Sequence, residues 1–283
     1  MENVNAERSR SLDSQYQIIL FFILTLLIGW YPWYTGGSGV FFWGPFIAAL
    51  IVVGAVQRKA GILSLLRRLA IWKTNISWYV VVVVSPIVVA VVAIVLHVVF
   101  GGTAPEFPLF KDDQWMILVA AFMFLFPLTA TAFQEEVGFR GFALPLIQKR
   151  WGPLVGTVIL GTFFGAWLLP EFLVENSAQY MMGGLSFYPW FILTEISWSI
   201  IMTWVFNNTK GSALISGWLF HGFFNLWTLV LLTNAVLGAD FPAFDTGLLI
   251  MNALVLTLAA IGLILITKGQ LDYDKYIKIA ESE

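Results

Sequence analysis

The chain has 283 residues, of which 59% are hydrophobic and 11% charged. Soluble domains carry about 25% charged residues, so this composition excludes one and predicts an all-α, polytopic helical bundle with the lipid bilayer as its solvent. The lack of cysteine removes disulfides, thiolate nucleophiles and cysteine-ligated metals; the net charge of −2 says nothing about nucleic acid, but no basic stripe with interleaved aromatics appears, so no nucleic acid partner is expected.

Residues 1–15 are polar and read as a tail. No small-residue cleavage site follows the first apolar stretch, which is therefore expected to stay as an uncleaved first span. At roughly 20 apolar residues per crossing, about eight spans are predicted, over 16–34, 40–56, 78–100, 115–134, 153–170, 187–206, 212–234 and 247–267. The fifth has the shortest apolar stretch, around Val155 to Leu169. No internal repeat, low-complexity tract or long linker interrupts them, so 16–267 reads as one transmembrane domain, followed by a second tail over 268–283. The connection from Gln57 to Ser77 contains the amphipathic run Ile62–Leu69, expected to lie in the interface with Arg67 and Arg68 at anionic headgroups. A second such stretch is expected from Arg140 to Trp151, broken by Pro145. Gly152-Pro153 then opens the fifth span, Pro being suited to a first helical turn.

Charge fixes the expected topology. Every lysine and arginine except Lys111 falls on one side of these spans. The positive-inside rule then predicts a cell-membrane protein with both termini in the cytoplasm, as an even span count requires. Trp30, Tyr31, Trp33 and Tyr34 mark the outer end of the first span, and Tyr188 and Trp190 the outer start of the sixth. The loops on the outer side are acidic (Glu106, Asp112, Asp113, Glu171, Glu175, Asp240, Asp245), which charge asymmetry explains without a cation site.

Ionisable residues at membrane depth are costly, and they mark candidate functional sites. Glu135 and Glu136 end the fourth span. Glu136 and Arg140 stand i, i+4, the spacing of an ion pair on one helical face, whereas Glu135 points roughly 100° away and has no local partner. A carboxylate in a low-dielectric site that can still ionise makes a usable general base. In the seventh span His221 and Asn225 share a face at i, i+4, with Gly217 one turn earlier permitting close helix approach. His97, alone among valines near the outer end of the third span, reads as structural. Glu195 lies well inside the apolar sixth span, either pairing with a polar neighbour or facing a water-filled pocket. Counting along the spans puts Glu135 at the cytoplasmic end of the fourth, His221 near the midplane and residue 168 towards the outer end of the fifth. Tilt, a longer fifth span or re-entrant geometry must then bring them together.

Three motifs in order, Glu135-Glu136-x-x-x-Arg140, Phe164-Gly165-Ala166-Trp167 and His221-x-x-x-Asn225, resemble the CPBP family of intramembrane proteases, which includes the type II CAAX prenyl endopeptidases and proteins linked to bacteriocin processing and self-immunity. The resemblance covers roughly 62–227. It implies a CAAX-protease-like helical bundle with a cavity open to the cytoplasmic side, in which Glu135 activates water, a histidine of the second motif helps hold it, and His221 and Asn225 polarise the peptide carbonyl. The chain departs from that pattern at Leu168, which stands where the family has histidine. With two histidines in all, no neighbour can substitute by a register slip. The resemblance allows a divalent metal, but one histidine, one or two glutamates and no cysteine make a poor catalytic set, so no cofactor is expected.

Three functions follow as expectations. The first is an intramembrane endopeptidase acting on membrane-anchored or lipidated peptides, with its activity conditional on Leu168 and Glu195 a candidate replacement for the missing imidazole. The second is a pseudoprotease that binds such a peptide or a partner protein without cutting it, for assembly, immunity or regulation. The third is a proton- or cation-coupled transport component using Glu135, Glu136, Glu195 and His221; inverted repeats with broken helices would favour it, and none is visible.

Overall fold

The computed structural model describes residues 2–107, 131–175, 177–233 and 244–282. Most of the span expected over 115–134, together with Lys111, Asp112, Asp113 and Asp240, lies outside them. The described chain is helical, with a single isolated bridge between Thr233 and Phe244 and no strand. In chain order the main helices are α1 (Glu2–Gly29), α2 (Gly44–Leu69), α3 (Ile76–Val99), α4 (residues 131–151), α5 (Pro153–Trp167), α6 (Tyr188–Asn208), α7 (Leu214–Leu232), α8 (Thr246–Ile266) and α9 (Tyr273–Ser282). Five of them, α2, α3, α6, α7 and α8, are long and apolar enough to cross a membrane, and the apolar parts of α1 (Ser14–Gly29) and α5 are shorter. This is a multi-pass membrane protein. Its exposed faces have the expected lipid-facing character: Val80, Val84, Val88, Val91 and Val95 on α3 are all exposed, as valines turned to acyl chains are.

Helix α4 departs most from the sequence reading. The fourth span does not stop before the glutamates. The helix runs on through a π turn, Val137–Ala143, and a further α segment, Leu144–Trp151, and ends at Gly152 in a positive-φ conformation (φ 79°). Every residue from Val137 to Pro145 is buried, so the stretch from Arg140 to Trp151 is a core helix and not an interfacial one. Pro145 does not break it: it stands in the first turn after the change from π to α register, where its missing N–H is tolerated. Gly138 explains the close packing, because a Cβ there would lie 2.4 Å from the Pro45 carbonyl oxygen of α2.

The basic connection also differs in part. Helix α2 continues into it across a break at Arg58 (φ 54°). The amphipathic segment turns Leu65 inward and leaves Leu63 and Leu66 exposed. Arg68 donates from Nη1 to the Gly141 carbonyl at 2.6 Å, satisfying an acceptor in the π turn. The 268–283 tail is likewise docked. Asp272 accepts from Trp204 Nε1 and Asn208 Nδ2, each at 2.9 Å, and Lys275 donates to Asn208 Oδ1 at 3.1 Å.

Cross-links sort the connections onto two ends of the bundle. At one end Ser212 bonds the Ile71 carbonyl, Asn207 bonds Gln148 and the Leu271 carbonyl, and Arg150 reaches Gln15. At the other, Val40 N–H donates to Glu171, Thr246 donates to the Met182 carbonyl, and Trp30 Nε1 donates to the Trp167 carbonyl. His97 belongs to this second end, where Nε2 lies 3.3 Å from Asp245 Oδ2 while Asp245 Oδ1 caps α8 by accepting from Leu248 N–H at 3.0 Å. That is the structural role its surroundings suggest.

Candidate functional site

Glu136 is the hub of a buried polar cluster. Its Oε1 accepts from Arg140 Nη1 at 2.9 Å, the i, i+4 pair expected, and also lies 2.9 Å from His221 Nδ1 on α7. The sequence carries no sign of the second contact. Arg140 is 1% exposed. Its Nη2 donates to Ser199 Oγ at 2.9 Å and approaches Met202 Sδ at 3.1 Å, both on α6, and its guanidinium lies 5.6 Å from the centre of the Phe164 ring on α5. Four helices therefore meet at one ion pair. Ser199 and Met202 are site residues that sequence reasoning misses, because a serine and a methionine in an apolar span carry no local signal.

The π turns border this cluster on both sides. One begins directly after Glu136, and the other, Leu214–Leu219, ends just before the turn carrying His221. Such insertions re-aim side chains inside a helix and recur at functional sites. Gly217 lies in the second of them. A Cβ at that position would come within 2.9 Å of the Glu136 Cβ, so only glycine lets the two helix surfaces close to the hydrogen-bond distance observed.

Glu135 is 4% exposed and takes no share of the arginine. Its Oε2 lies 3.6 Å from His221 Nδ1. The division expected from spacing, Glu136 paired and Glu135 unpaired by arginine, is present. Because Glu136 Oε1 is already an acceptor towards Arg140, it is placed to accept Nδ1–H from His221 as well. That tautomer leaves Nε2 as the ring nitrogen available to an occupant of the cavity. Phe164 supports the ring at a centroid distance of 5.9 Å in a T-shaped arrangement.

A cavity of about 490 Å³ adjoins the cluster, and Glu135, Phe164, Leu168, Glu195, His221 and Asn225 all line it. The helices thus bring the three motifs together. The depth conflict in the sequence reading disappears because Glu135 sits within α4 and not at its cytoplasmic end. Leu168 is 5% exposed at the C-terminal cap of α5 and presents a hydrocarbon wall to the cavity. Glu195 is on the wall too, one turn before Ser199, and so on the α6 face that holds Arg140.

Two further wall residues lie outside the sequence-based set. Asn252 on α8 is buried and lines the cavity. Glu171, which the sequence presents as an ordinary acidic loop residue, is buried, and its Oε1 accepts from Val40 N–H at 2.5 Å. Burial pushes its carboxyl above the usual range and the Val40 hydrogen bond opposes this. A carboxyl whose folded-state value is raised contributes stability on the acid side and loses it as the pH rises through that value. Melting measured over roughly pH 4 to 8 should therefore fall with rising pH more in the wild type than in Glu171→Gln, which carries no titrating group there. Equal slopes would show that Glu171 is solvated.

Glu135, Glu136 and His221 each offer a ligand atom, all within 4.8 Å of one another. These residues do not fit a catalytic divalent metal. Glu136 Oε1 and His221 Nδ1 are engaged with each other, a guanidinium stands 2.9 Å from the same oxygen, and a further cation would have to displace it.

Residues 115–227 match the family described as type II CAAX prenyl endopeptidase Rce1-like, a range that contains all three motifs. Over 263 residues the chain is 26% identical to CAAX prenyl protease 2 of Methanococcus maripaludis, an alignment covering 86% of this chain and 94% of that protein.

Proposed function

For this CAAX-protease-like membrane protein of the Rce1-like family, we propose slow hydrolysis of a peptide bond in a membrane-anchored or lipidated chain. The observation that carries it is the convergence of Glu135, His221 and Asn225 on one cavity whose wall is otherwise mostly apolar. Acyl transfer to water needs a base, a bound water and donors placed where negative charge develops. Glu135, free of Arg140, is the base that takes a proton from water. The water oxygen attacks the peptide carbonyl, and the carbonyl oxygen gains charge beside Asn225 Nδ2 and the His221 ring. Glu136 and Arg140 position that ring and do not touch the substrate. The proton held by Glu135 then passes to the leaving amine.

Glu135→Gln keeps shape and burial and removes the base. Cleavage of a membrane-anchored peptide, followed by mass spectrometry of new termini, should fall by about 10²–10⁴-fold. Cleavage unchanged in that variant would assign the base elsewhere.

A second reading has one observation in its favour, the hydrocarbon wall at Leu168. In it the cavity holds a membrane peptide or partner without cutting it. It requires co-purification of the occupant to survive Glu135→Gln and no new termini to form.

A further inference from the structure

The cavity has a direction. The wall residues that come from connections between helices, Phe42, Glu171, Gln179, Met182, Phe187 and Phe244, all belong to the bundle end held together by the Val40–Glu171 and Thr246–Met182 hydrogen bonds. Among the described residues, none from the opposite end lines it. That opposite end gathers the charge. The connections containing Arg58, Lys59, Arg67, Arg68 and Lys73, then Lys149 and Arg150, then Lys210, then Lys268, Lys275 and Lys278, are tied to one another there by Ser212, Asn207, Arg150 and Lys275. Arg140 does not count towards it, being buried in its ion pair. Among the described residues the cavity end has no lysine or arginine, and it carries Glu106, Glu171, Glu175 and Asp245.

Short basic connections are retained on the cytoplasmic side of a membrane. A cytoplasmic opening of the cavity and cytoplasmic basic connections therefore exclude each other in this geometry. The charge asymmetry is distributed over four separate connections, and each would have to be translocated for the cavity to face the cytoplasm.

We infer that the cavity opens to the non-cytoplasmic face, and that its substrate is an exported peptide held to the outer leaflet by a transmembrane or lipid anchor. The substrate half of this inference rests on the hydrolytic reading above; the sidedness does not. The charges at this end fit the same assignment: Glu171 lines the cavity, Glu175 is exposed four residues further on, and among the described residues no basic loop accompanies them. Anchor selection falls to the apolar walls, Phe187, Phe191 and Leu229 among them.

The chain contains no cysteine, so single cysteines report position without a background. Ser186→Cys, exposed at the cavity end, and Lys278→Cys, at the basic end, are to be treated with a membrane-impermeant maleimide in intact cells and after permeabilisation. The expected result is labelling of Ser186→Cys before permeabilisation and of Lys278→Cys only after it. The reverse pattern overturns the inference, as does labelling of both in intact cells. Should neither label, a C-terminal alkaline phosphatase fusion decides: an inactive fusion places the basic end inside and supports the inference, an active one overturns it. None of these readouts depends on cleavage, so sidedness is tested even if the chain cuts nothing.

Discussion

Arg140→Leu should lower the unfolding free energy by about 3–5 kcal/mol, the usual cost of removing one partner from a buried ion pair. The substitution removes the guanidinium that holds Glu136 at 2.9 Å, Ser199 at 2.9 Å and Met202 at 3.1 Å, along with its contact to the Phe164 ring. What makes the effect large is the residue left behind. Glu136 is 0% exposed, its remaining partner among the described residues is His221, and an uncompensated buried carboxylate either stays charged at high cost or takes up a proton. Thermal unfolding in detergent or nanodiscs measures the loss. The companion experiment is the double variant Arg140→Leu/Glu136→Met, which replaces the pair with hydrocarbon of similar bulk. Such replacements are often neutral, so the double variant should recover most of the stability lost in Arg140→Leu. It should not recover function, because the His221 ring loses the acceptor that fixes its tautomer. A single variant as stable as the wild type would show that the ion pair positions His221 without holding the bundle.

That pairing is legible in the sequence because it is local. Helical spacing alone puts Glu136 against Arg140, and composition alone puts both in a membrane bundle. What is not legible is everything that depends on contacts between helices. The sequence ends the fourth span at residue 134 because charge normally marks the membrane surface. Here the charges are neutralised inside the bundle and the helix continues to Trp151. The π turns have no periodic signature of their own, since one extra residue per insertion is within the scatter of any hydrophobic pattern. Glu171 reads as part of an acidic loop, which its position after α5 justifies, yet it is buried and its hydrogen-bond partner, Val40 N–H, is more than a hundred residues away. Ser199 and Met202 enter only because Arg140 needs partners once α6 packs beside it. The close approach at Gly217 is readable as a possibility, and the identity of the opposing atom, the Glu136 Cβ, is not. The transport reading gains nothing from the structure, where Glu136 is locked to a guanidinium and not spaced along a path.

Leu168→His is the substitution that most directly measures what this site lacks. Leu168 lines the same cavity as Glu135, His221 and Asn225, and it caps α5 with its N–H on the Phe164 carbonyl at 3.3 Å. The backbone there does not need a leucine. An imidazole at this position is within the cavity, where Glu135 and Glu195 are acceptors and water can supply the rest, so the change should cost little stability. If hydrolysis is slow because the attacking water is held by one acid–base partner and not two, the new ring should raise cleavage of a membrane-anchored peptide by about 10²–10⁴-fold. Combining it with Glu135→Gln should cancel the gain, since a positioned water without a base does not attack. Two other outcomes divide the readings. Robust cleavage by the wild type with no gain in Leu168→His would mean that a single imidazole suffices and that a second group, Glu195 being the one on the wall, already orients the water. No cleavage by either chain, with an occupant still retained on purification, would make the cavity a binding site whose leucine wall is the reason it does not cut.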